Sequence, residues 1–335
     1  MILVLRALGV GDLATAVPAL RALRAGHPDE ELALAAPAWL GPLVDLVGGV
    51  DRLLPTDDLG PPPWSASASS SGPAPSSGSA SWSGSASSSG SASWSGPPPR
   101  LAVNLHGRGP WSHRMLAGAG RLMAFRCPSA GHRDGPDWRD DEHEVDRWCR
   151  LLGWYGIPAD RTDLALRRPP PGRLPARVTV VHPGSKIEAK RWPADRFATL
   201  ARRLAGQGHQ VVVTGSAGER DLATRVAAGA GLPESAVLAG RTDLGELAGL
   251  VAGARLVVSG DTGVGHLATA YRTPSVLLFG PVPPARWGPP ADRPWHRVLW
   301  AAGGAGADSS ASRLAALPVD RVLAAVAEAE ETVRV

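Results

Sequence analysis

Residues 178–193 read VTVVHPGSKIEAKRWP. A run that is apolar from Val178 to Val181 stops at His182-Pro-Gly-Ser185. Two lysines and an arginine follow, and Pro193 stands at the start of the next periodic segment. An apolar run of this length bounded by turn residues predicts a strand buried on both faces, and a proline fits the first turn of the helix after it. The same unit recurs downstream. Strands are predicted at 210–214, 237–239, 255–259 and 275–279, and helices at 195–205, 219–228, 244–252, 264–271 and 319–333. Wholly apolar strands alternating with helices of this length predict a parallel sheet covered on both faces.

Upstream the pattern is looser but of the same kind. Residues 2–5 predict a strand, 9–12 a tight loop, and Ala14, Val17, Leu20 and Leu23 an amphipathic helix ending near Gly26. Short strands are expected at 32–35 and 52–55 with a helix between them. A further strand is expected at 101–106, running into Gly107-Arg-Gly109, and residues 147–152 lie in a helix. The Pro- and Arg-rich stretch 156–177 reads as a connector. The fold class is therefore α/β, with two Rossmann-like domains whose parallel sheets face a central cleft. The first domain spans 1–165, the linker 166–177, the second domain 178–318 and a C-terminal helix 319–335. Within the first domain, residues 64–96 consist almost wholly of Ser, Gly and Ala, without a charge and with Trp64, Trp82 and Trp94 as the only large side chains. Such a segment cannot offset its ordering entropy by burial, so a disordered insert is expected.

Composition narrows the function. The chain has 335 residues with 44% hydrophobic and 20% charged, and a net charge of +4. That surplus is small, and no Arg-rich run suggests a nucleic-acid track. Cys127 and Cys149 are too few for a disulfide framework or a thiolate metal site, which points to a reducing compartment. No stretch reaches membrane-spanning length, and the N-terminus lacks signal-peptide features. A cytoplasmic protein is expected, with peripheral membrane contact left open. Lys186 and Lys190 are the only two lysines; every other basic residue apart from histidine is arginine. Either they are leftover surface charges, or a compact ammonium is wanted at this place.

Three motifs lie at strand ends, where open α/β sheets bind ligands. In Arg6-Ala-Leu-Gly-Val-Gly-Asp12, Gly9 and Gly11 allow close approach. Asp12 is either a helix cap or a base positioned to take a hydroxyl proton. In the 178–193 stretch, Gly184 and Ser185 offer donors, while Lys186, Lys190 and Arg191 offer charge for phosphates. Glu219, after Thr214-Gly-Ser-Ala-Gly, is either a carboxylate favoured by a helix N-terminus or an acceptor for a ligand hydroxyl. In residues 259–266, SGDTGVGH, Asp261, Thr262 and Gly263 turn into a helix start, with His266 one turn inside. Asp261 suits a hydroxyl or backbone partner better than a phosphate, and His266 either donates to a phosphate or ribose oxygen or is a plain core or capping histidine. No His, Asp or Cys set has metal-site spacing.

Together, Arg6 with Gly11-Asp12, the Lys190-Arg-Trp-Pro193 segment, the Gly215 to Glu219 turn and Asp261-Thr-Gly-x-x-His266 resemble glycosyltransferase family 9, the heptosyltransferases. The resemblance implies a two-domain GT-B fold and metal-independent, inverting transfer from a nucleotide-diphosphate sugar, with ADP-heptose favoured, and no cofactor. It implies Asp12 as the base and Lys190 as the group neutralising the leaving diphosphate. Glu219, Asp261, Thr262, Gly263 and His266 would hold the donor, with Gly184, Ser185 and Lys186 beside them. Arg6, Gly9, Gly11 and Arg108 are weaker candidates for acceptor contact. The acceptor would be a hydroxyl of a glycan, a glycolipid such as lipopolysaccharide core, or a small molecule, and a monomer is expected. Two other classes fit the same residues: a nucleotide-sugar epimerase of related fold, and a non-catalytic envelope sugar-binding protein.

Overall fold

The computed structural model describes residues 1–56, 98–170, 172–301 and 313–334. The expected insert at 64–96 lies outside the described residues. Among those described, the chain divides into two compact units, the first ending at Leu164 and the second beginning at Ala165.

The first unit holds β1 (Ile2–Leu5), β2 (Leu32–Ala36), β3 (Arg52–Pro55), β4 (Leu101–Asn104) and β5 (Arg121–Met123). Its helices are α1 (Val10–Gly26), α2 (Gly41–Val47), α3 (Trp111–Met115) and α4 (Glu144–Trp154). All strand pairs are parallel, in the order β3-β2-β1-β4-β5. The second unit holds β6 (Thr179–His182), β7 (Val211–Val213), β8 (Leu256–Gly260), β9 (Ser275–Phe279) and β10 (His296–Trp300). Around them lie α5 (Ala194–Gly206), α6 (Arg220–Ala230), α7 (Leu244–Ala252), α8 (Gly263–Tyr271), α9 (Pro284–Trp287) and α10 (Val319–Arg334). This sheet is also parallel throughout, in the order β10-β9-β8-β6-β7.

Each order reverses direction once, between β1 and β4 in the first sheet and between β6 and β8 in the second. At such a switch point the two following loops run to opposite faces, which leaves a crevice beyond the strand ends. The 6–12 loop follows β1, the 183–191 loop follows β6, and Gly260 to Thr262 lead out of β8. Topology therefore puts the sequence motifs at the two switch points.

Three local expectations change. Residues 237–239 form only a single bridge, Val213 to Val237, because the 3-10 turn at Glu234–Ala236 delivers the chain to the sheet edge for one residue. Helix α1 is not amphipathic: Leu13 through Leu20 are all buried, as are Ala22 and Leu23. It packs against α2 and α4 as well as serving the sheet, so it needs apolar faces in several directions. Pro193 caps α5 from outside, with its carbonyl accepting the Phe197 N–H at 3.1 Å, and the helix begins at Ala194.

The core of the second unit joins Val181, Val213, Val258, Val276 and Leu278 from the strands to Leu200, Leu204 and Val226 from the helices. Val322, Val326 and Ala329 bring α10 into the same cluster. The Glu330 carboxylate fastens that helix further by accepting two bonds from Arg255, at 2.6 and 3.0 Å.

Several histidines in the two units are held neutral by burial. His106 in the first unit and His296 in the second are each pushed down from 6.5 to about 4, burial being the largest cause and a neighbouring arginine the next. His182 and His209 are lowered by burial too, against the raising influence of Glu219 and Glu330. Because these folded values lie below the unfolded one, the unfolded chain binds more protons between about pH 6.5 and 4. Stability is therefore full above about 6.5 and falls as the pH drops toward 4. Each of the two strongest cases contributes on the order of 3 kcal/mol to that loss. Thermal melts from pH 7 to 4 are expected to show a steep decline, and His296→Gln a shallower one. A wild-type melting temperature independent of pH across this range would contradict it.

Candidate active site

The loop after β6 is built to aim one lysine. Trp192 is 2% exposed, packs edge-on against Phe197 at 4.9 Å and donates its indole N–H to the Leu317 carbonyl at 3.0 Å. Arg191 Nε donates to the Ser185 carbonyl at 2.8 Å and closes the loop on itself. With both ends fixed, the short 3-10 turn Glu188–Lys190 directs Lys190 Nζ to Asp261 Oδ2 at 2.5 Å. The lysine side chain is 16% exposed and the aspartate 6%. The expected hydroxyl or backbone partner for Asp261 is thus replaced by an ion pair, because β6 and β8 are sheet neighbours and bring residues 71 apart to one rim.

Beyond Asp261, α8 starts at Gly263 without any side-chain cap on Thr262. Helix α7 shows the contrast: there Asp243 caps the Glu246 N–H at 2.7 Å. The first turn of α8 keeps the N–H groups and positive end that an anion would satisfy. Thr262 Oγ1 is buried and has no hydrogen-bond partner among the described residues, which marks a place for an incoming polar atom. His266 lies one turn further on, its ring 5.9 Å from that of Trp287 and edge-on to it. Asp261, Thr262, His266 and Trp287 line the same recess, with Phe279 and Leu277 as its apolar wall.

Glu219 has a structural task. Its Oε2 accepts the Ser216 N–H at 2.8 Å and the Ser216 hydroxyl at 2.9 Å, which closes a capping box. The rest of the carboxylate lies flat against Gly184. A Cβ on Gly184 would fall 2.2 Å from Oε1 and 2.3 Å from Cδ. Gly184→Ala therefore forces Glu219 aside and breaks the box. We expect it to destabilise the fold by about 1–3 kcal/mol, the usual range for overpacking, read as a lowered melting temperature. An alanine variant with wild-type melting temperature would refute this. Ser185 is buried, its hydroxyl accepting the Ile187 N–H at 3.3 Å, while Lys186 is exposed on the outer side of the turn.

In the first unit the 6–12 loop folds around Arg6. That side chain is 1% exposed. Its Nε donates to the Asp12 carbonyl at 3.0 Å and its Nη1 to the Leu105 carbonyl. Its Nη2 reaches Asp12 Oδ1 at 3.3 Å, Thr15 Oγ1 at 3.3 Å and Glu144 Oε1 at 3.1 Å. Its plane also stacks over Trp148 at 4.6 Å. The expectation of acceptor contact does not fit this burial, since every donor of Arg6 is turned inward. Asp12 accepts the Gly9 N–H on Oδ2 at 3.0 Å and remains 26% exposed, so one carboxylate edge faces out of a fixed cradle. Gly11 sits in the first turn of α1, and Arg108 is an exposed side chain 4.0 Å from Asp140.

The structure thus brings Lys190, Asp261, Thr262, Gly263 and His266 to one rim, and Gly184, Ser185 and Glu219 to the loops beside it. Sequence reasoning missed Trp287, Thr15, Glu144 and Arg147. Glu144 and Trp287 are recruited by partners distant in sequence, Arg6 and His266, while Thr15 and Arg147 make short-range contacts that no motif announces. Among the described residues no group of three or more His, Cys, Asp or Glu side chains is arranged to hold a metal ion. Among the same residues no helix is long and apolar enough to cross a membrane.

Comparison with known proteins bears on the family and the fold. A family model described as Glycosyltransferase family 9 (heptosyltransferase) matches residues 140–307, half of the chain. Lipopolysaccharide heptosyltransferase 1 of Pseudomonas aeruginosa is 37% identical over 152 residues, covering 43% of this chain and 41% of that one. Lipopolysaccharide heptosyltransferase 2 of Escherichia coli K12 is 37% identical over 106 residues, 30% of each chain. The aligned segments span well under half the length of these relatives. Over the whole length the likeness is one of fold. The structure of E. coli ADP-heptose lps heptosyltransferase II aligns with 100% of this chain and 99% of its own, at a TM-score of 0.71 and 22% identity. A family 9 glycosyl transferase from Veillonella parvula aligns with 99% and 97%, at 0.74 and 18%. Two parallel sheets flanked by helices, matched end to end in this way, are the GT-B fold.

Proposed function

The chain belongs to glycosyltransferase family 9, and from that premise we propose that it transfers heptose from ADP-heptose to a hydroxyl of a glycan or glycolipid acceptor, with inversion at the anomeric carbon. The observation that carries this reading is the Lys190–Asp261 pair set beside the uncapped start of α8 at the switch point of the second sheet. A leaving nucleoside diphosphate develops negative charge as the glycosidic bond breaks. An ammonium and a helix N-terminus fixed in advance stabilise that charge without reorganising at the moment of reaction. In this proposal Lys190 and the α8 N–H groups take the diphosphate, and Thr262 and His266 fix its oxygens or those of the ribose. Glu219, Gly184 and Ser185 shape the donor loop, with Lys186 as an outlying charge.

Asp12 takes the acceptor proton as the hydroxyl attacks. Its support is the cradle itself: one oxygen is oriented by Gly9 N–H, the backbone is held by Arg6, and an edge stays open. Gly9, Gly11 and Arg108 flank the place where the acceptor would enter. We propose a domain division at 1–165, 166–177, 178–318 and 319–335, with acceptor and donor halves in that order. A cytoplasmic monomer meeting a glycolipid at the inner membrane face fits the reading; light scattering and co-sedimentation with anionic vesicles test these two points.

The deciding experiment offers the purified chain ADP-, GDP-, UDP- and dTDP-sugars with lipopolysaccharide-core and other glycan acceptors, followed by mass spectrometry. An acceptor gaining one heptose from ADP-heptose is expected. Transfer from another nucleotide sugar alone would overturn the donor assignment, and an epimer formed without acceptor would overturn the reaction class.

A further inference from the structure

Helix α4 begins with a buried carboxylate that serves none of its own backbone. The N-cap is His143, whose Nδ1 accepts the Val145 N–H at 3.2 Å. Glu144, the next residue, is 5% exposed and spends its carboxylate on two arginines. Oε1 accepts from Arg6 Nη2 at 3.1 Å, and Oε2 accepts from Arg147 Nη1. Arg147 is itself buried, lies over Trp138 at 4.1 Å and donates Nη2 to the Arg139 carbonyl at 2.6 Å. The chain Asp12–Arg6–Glu144–Arg147 is a row of alternating charges that runs from the open carboxylate into the protein.

We propose that Glu144 is a positioning residue for Asp12, acting through Arg6, and that its negative charge keeps Asp12 an effective proton acceptor. The inference rests on the reading of Asp12 as the base. A guanidinium is permanently charged. Without Glu144, the buried charge of Arg6 would fall on Asp12 as its only carboxylate partner, holding that oxygen and weakening it toward a proton. Glu144 shares the guanidinium, so Arg6 can orient Asp12 through the backbone carbonyl and one long contact at 3.3 Å without tying up its charge. Arg147 holds Glu144 from behind. His106, two residues past β4, also feels the charges of Arg6 and Asp12, and burial keeps it neutral down to about pH 4. Among the described residues Arg6 is the charged side chain that touches Asp12, with Glu144 and then Arg147 behind it.

A purely structural Glu144 would hold α4 in place and leave the proton affinity of Asp12 alone. The two roles separate in Glu144→Gln, which keeps the shape and one acceptor for Arg6 but removes the charge, and in Glu144→Asp, which keeps the charge. The full-length chain, labelled with carboxyl-selective carbon-13, is titrated by NMR. In E144Q the Asp12 carboxyl is expected to protonate about one pH unit lower than in wild type, the effect of one unit charge a few ångströms away in a partly screened site. In E144D it should titrate close to wild type. Identical titration in wild type and E144Q overturns the proposal, as does an equal displacement in E144D, which would make packing the cause. Where ADP-heptose transfer is measured, the acid limb of the kcat/KM profile should move with the titration and the KM for donor should not. A displaced titration in an enzyme that transfers no sugar would leave the charge relation standing and overturn only the catalytic reading.

Discussion

Asp12→Asn is expected to lower turnover by about 10²–10⁴-fold, the range that general-base catalysis contributes, while leaving donor affinity within a factor of about two. The asparagine keeps the size of the side chain, and with its amide oxygen turned to Gly9 it retains the bond to that N–H. What it loses is a proton acceptor. Its amide NH2 then faces Arg6 Nη2 and cannot accept from it, so Arg6 must turn that nitrogen fully to Glu144 and Thr15 while its bonds to the Leu105 carbonyl and the residue-12 backbone remain. The fold should persist, so circular dichroism and ADP calorimetry serve as controls for the rate measurement. Wild-type turnover in the variant would remove Asp12 from the mechanism.

The second large effect belongs to Lys190. Lys190→Ala should weaken ADP binding by about 100-fold, or ~3 kcal/mol, and two physical contributions add to reach that figure. One is the lost charge-assisted contact to the diphosphate, worth roughly 1.5–3 kcal/mol. The other is Asp261: 6% exposed and paired with Lys190 at 2.5 Å, its carboxylate would then face the phosphates uncompensated. D261N alone is expected not to tighten ADP binding, whereas K190A/D261N should bind ADP more tightly than K190A alone, and that change of sign is the non-additivity of a coupled pair. Lys186→Ala, at an exposed position, should cost less than about threefold. Calorimetry reads all four variants, D261N alone included. Equal losses at the two lysines, or additive behaviour of K190A and D261N, would sink the assignment.

Much of this was legible from residue patterns because it is local. Apolar runs such as 178–182 and 255–259 announce parallel strands. Chain breaks at Gly-rich turns announce strand-end loops, and four motifs in order announce the family. Two short strands, β5 and β10, were not legible, since Arg121–Met123 and His296–Trp300 mix exposed and buried residues at sheet edges. The burial of α1 was misread for a related reason. Periodicity reports one apolar face, and a helix packed on several sides needs more than one.

The distinction between the lysines shows where sequence ends. Their rarity drew attention to both, and the motif favoured Lys190. Only the fold shows Lys190 docked on an aspartate 71 residues away and Lys186 turned outward. Arg6 is the opposite case. Its place beside Asp12 made it an acceptor candidate, while its contact with Glu144, 138 residues on, makes it an internal strut. Sequence alone determined the α/β class, the strand-end location of the motifs and the set of candidate residues, because these follow from short-range hydrophobic period and turn chemistry. Strand order, and with it the switch points, the Lys190–Asp261 pair and the Arg6–Glu144 relay, was decided only by tertiary structure. Those contacts join residues whose neighbourhood is set by how the strands line up in the sheet and the helices pack around it, and no local preference encodes that.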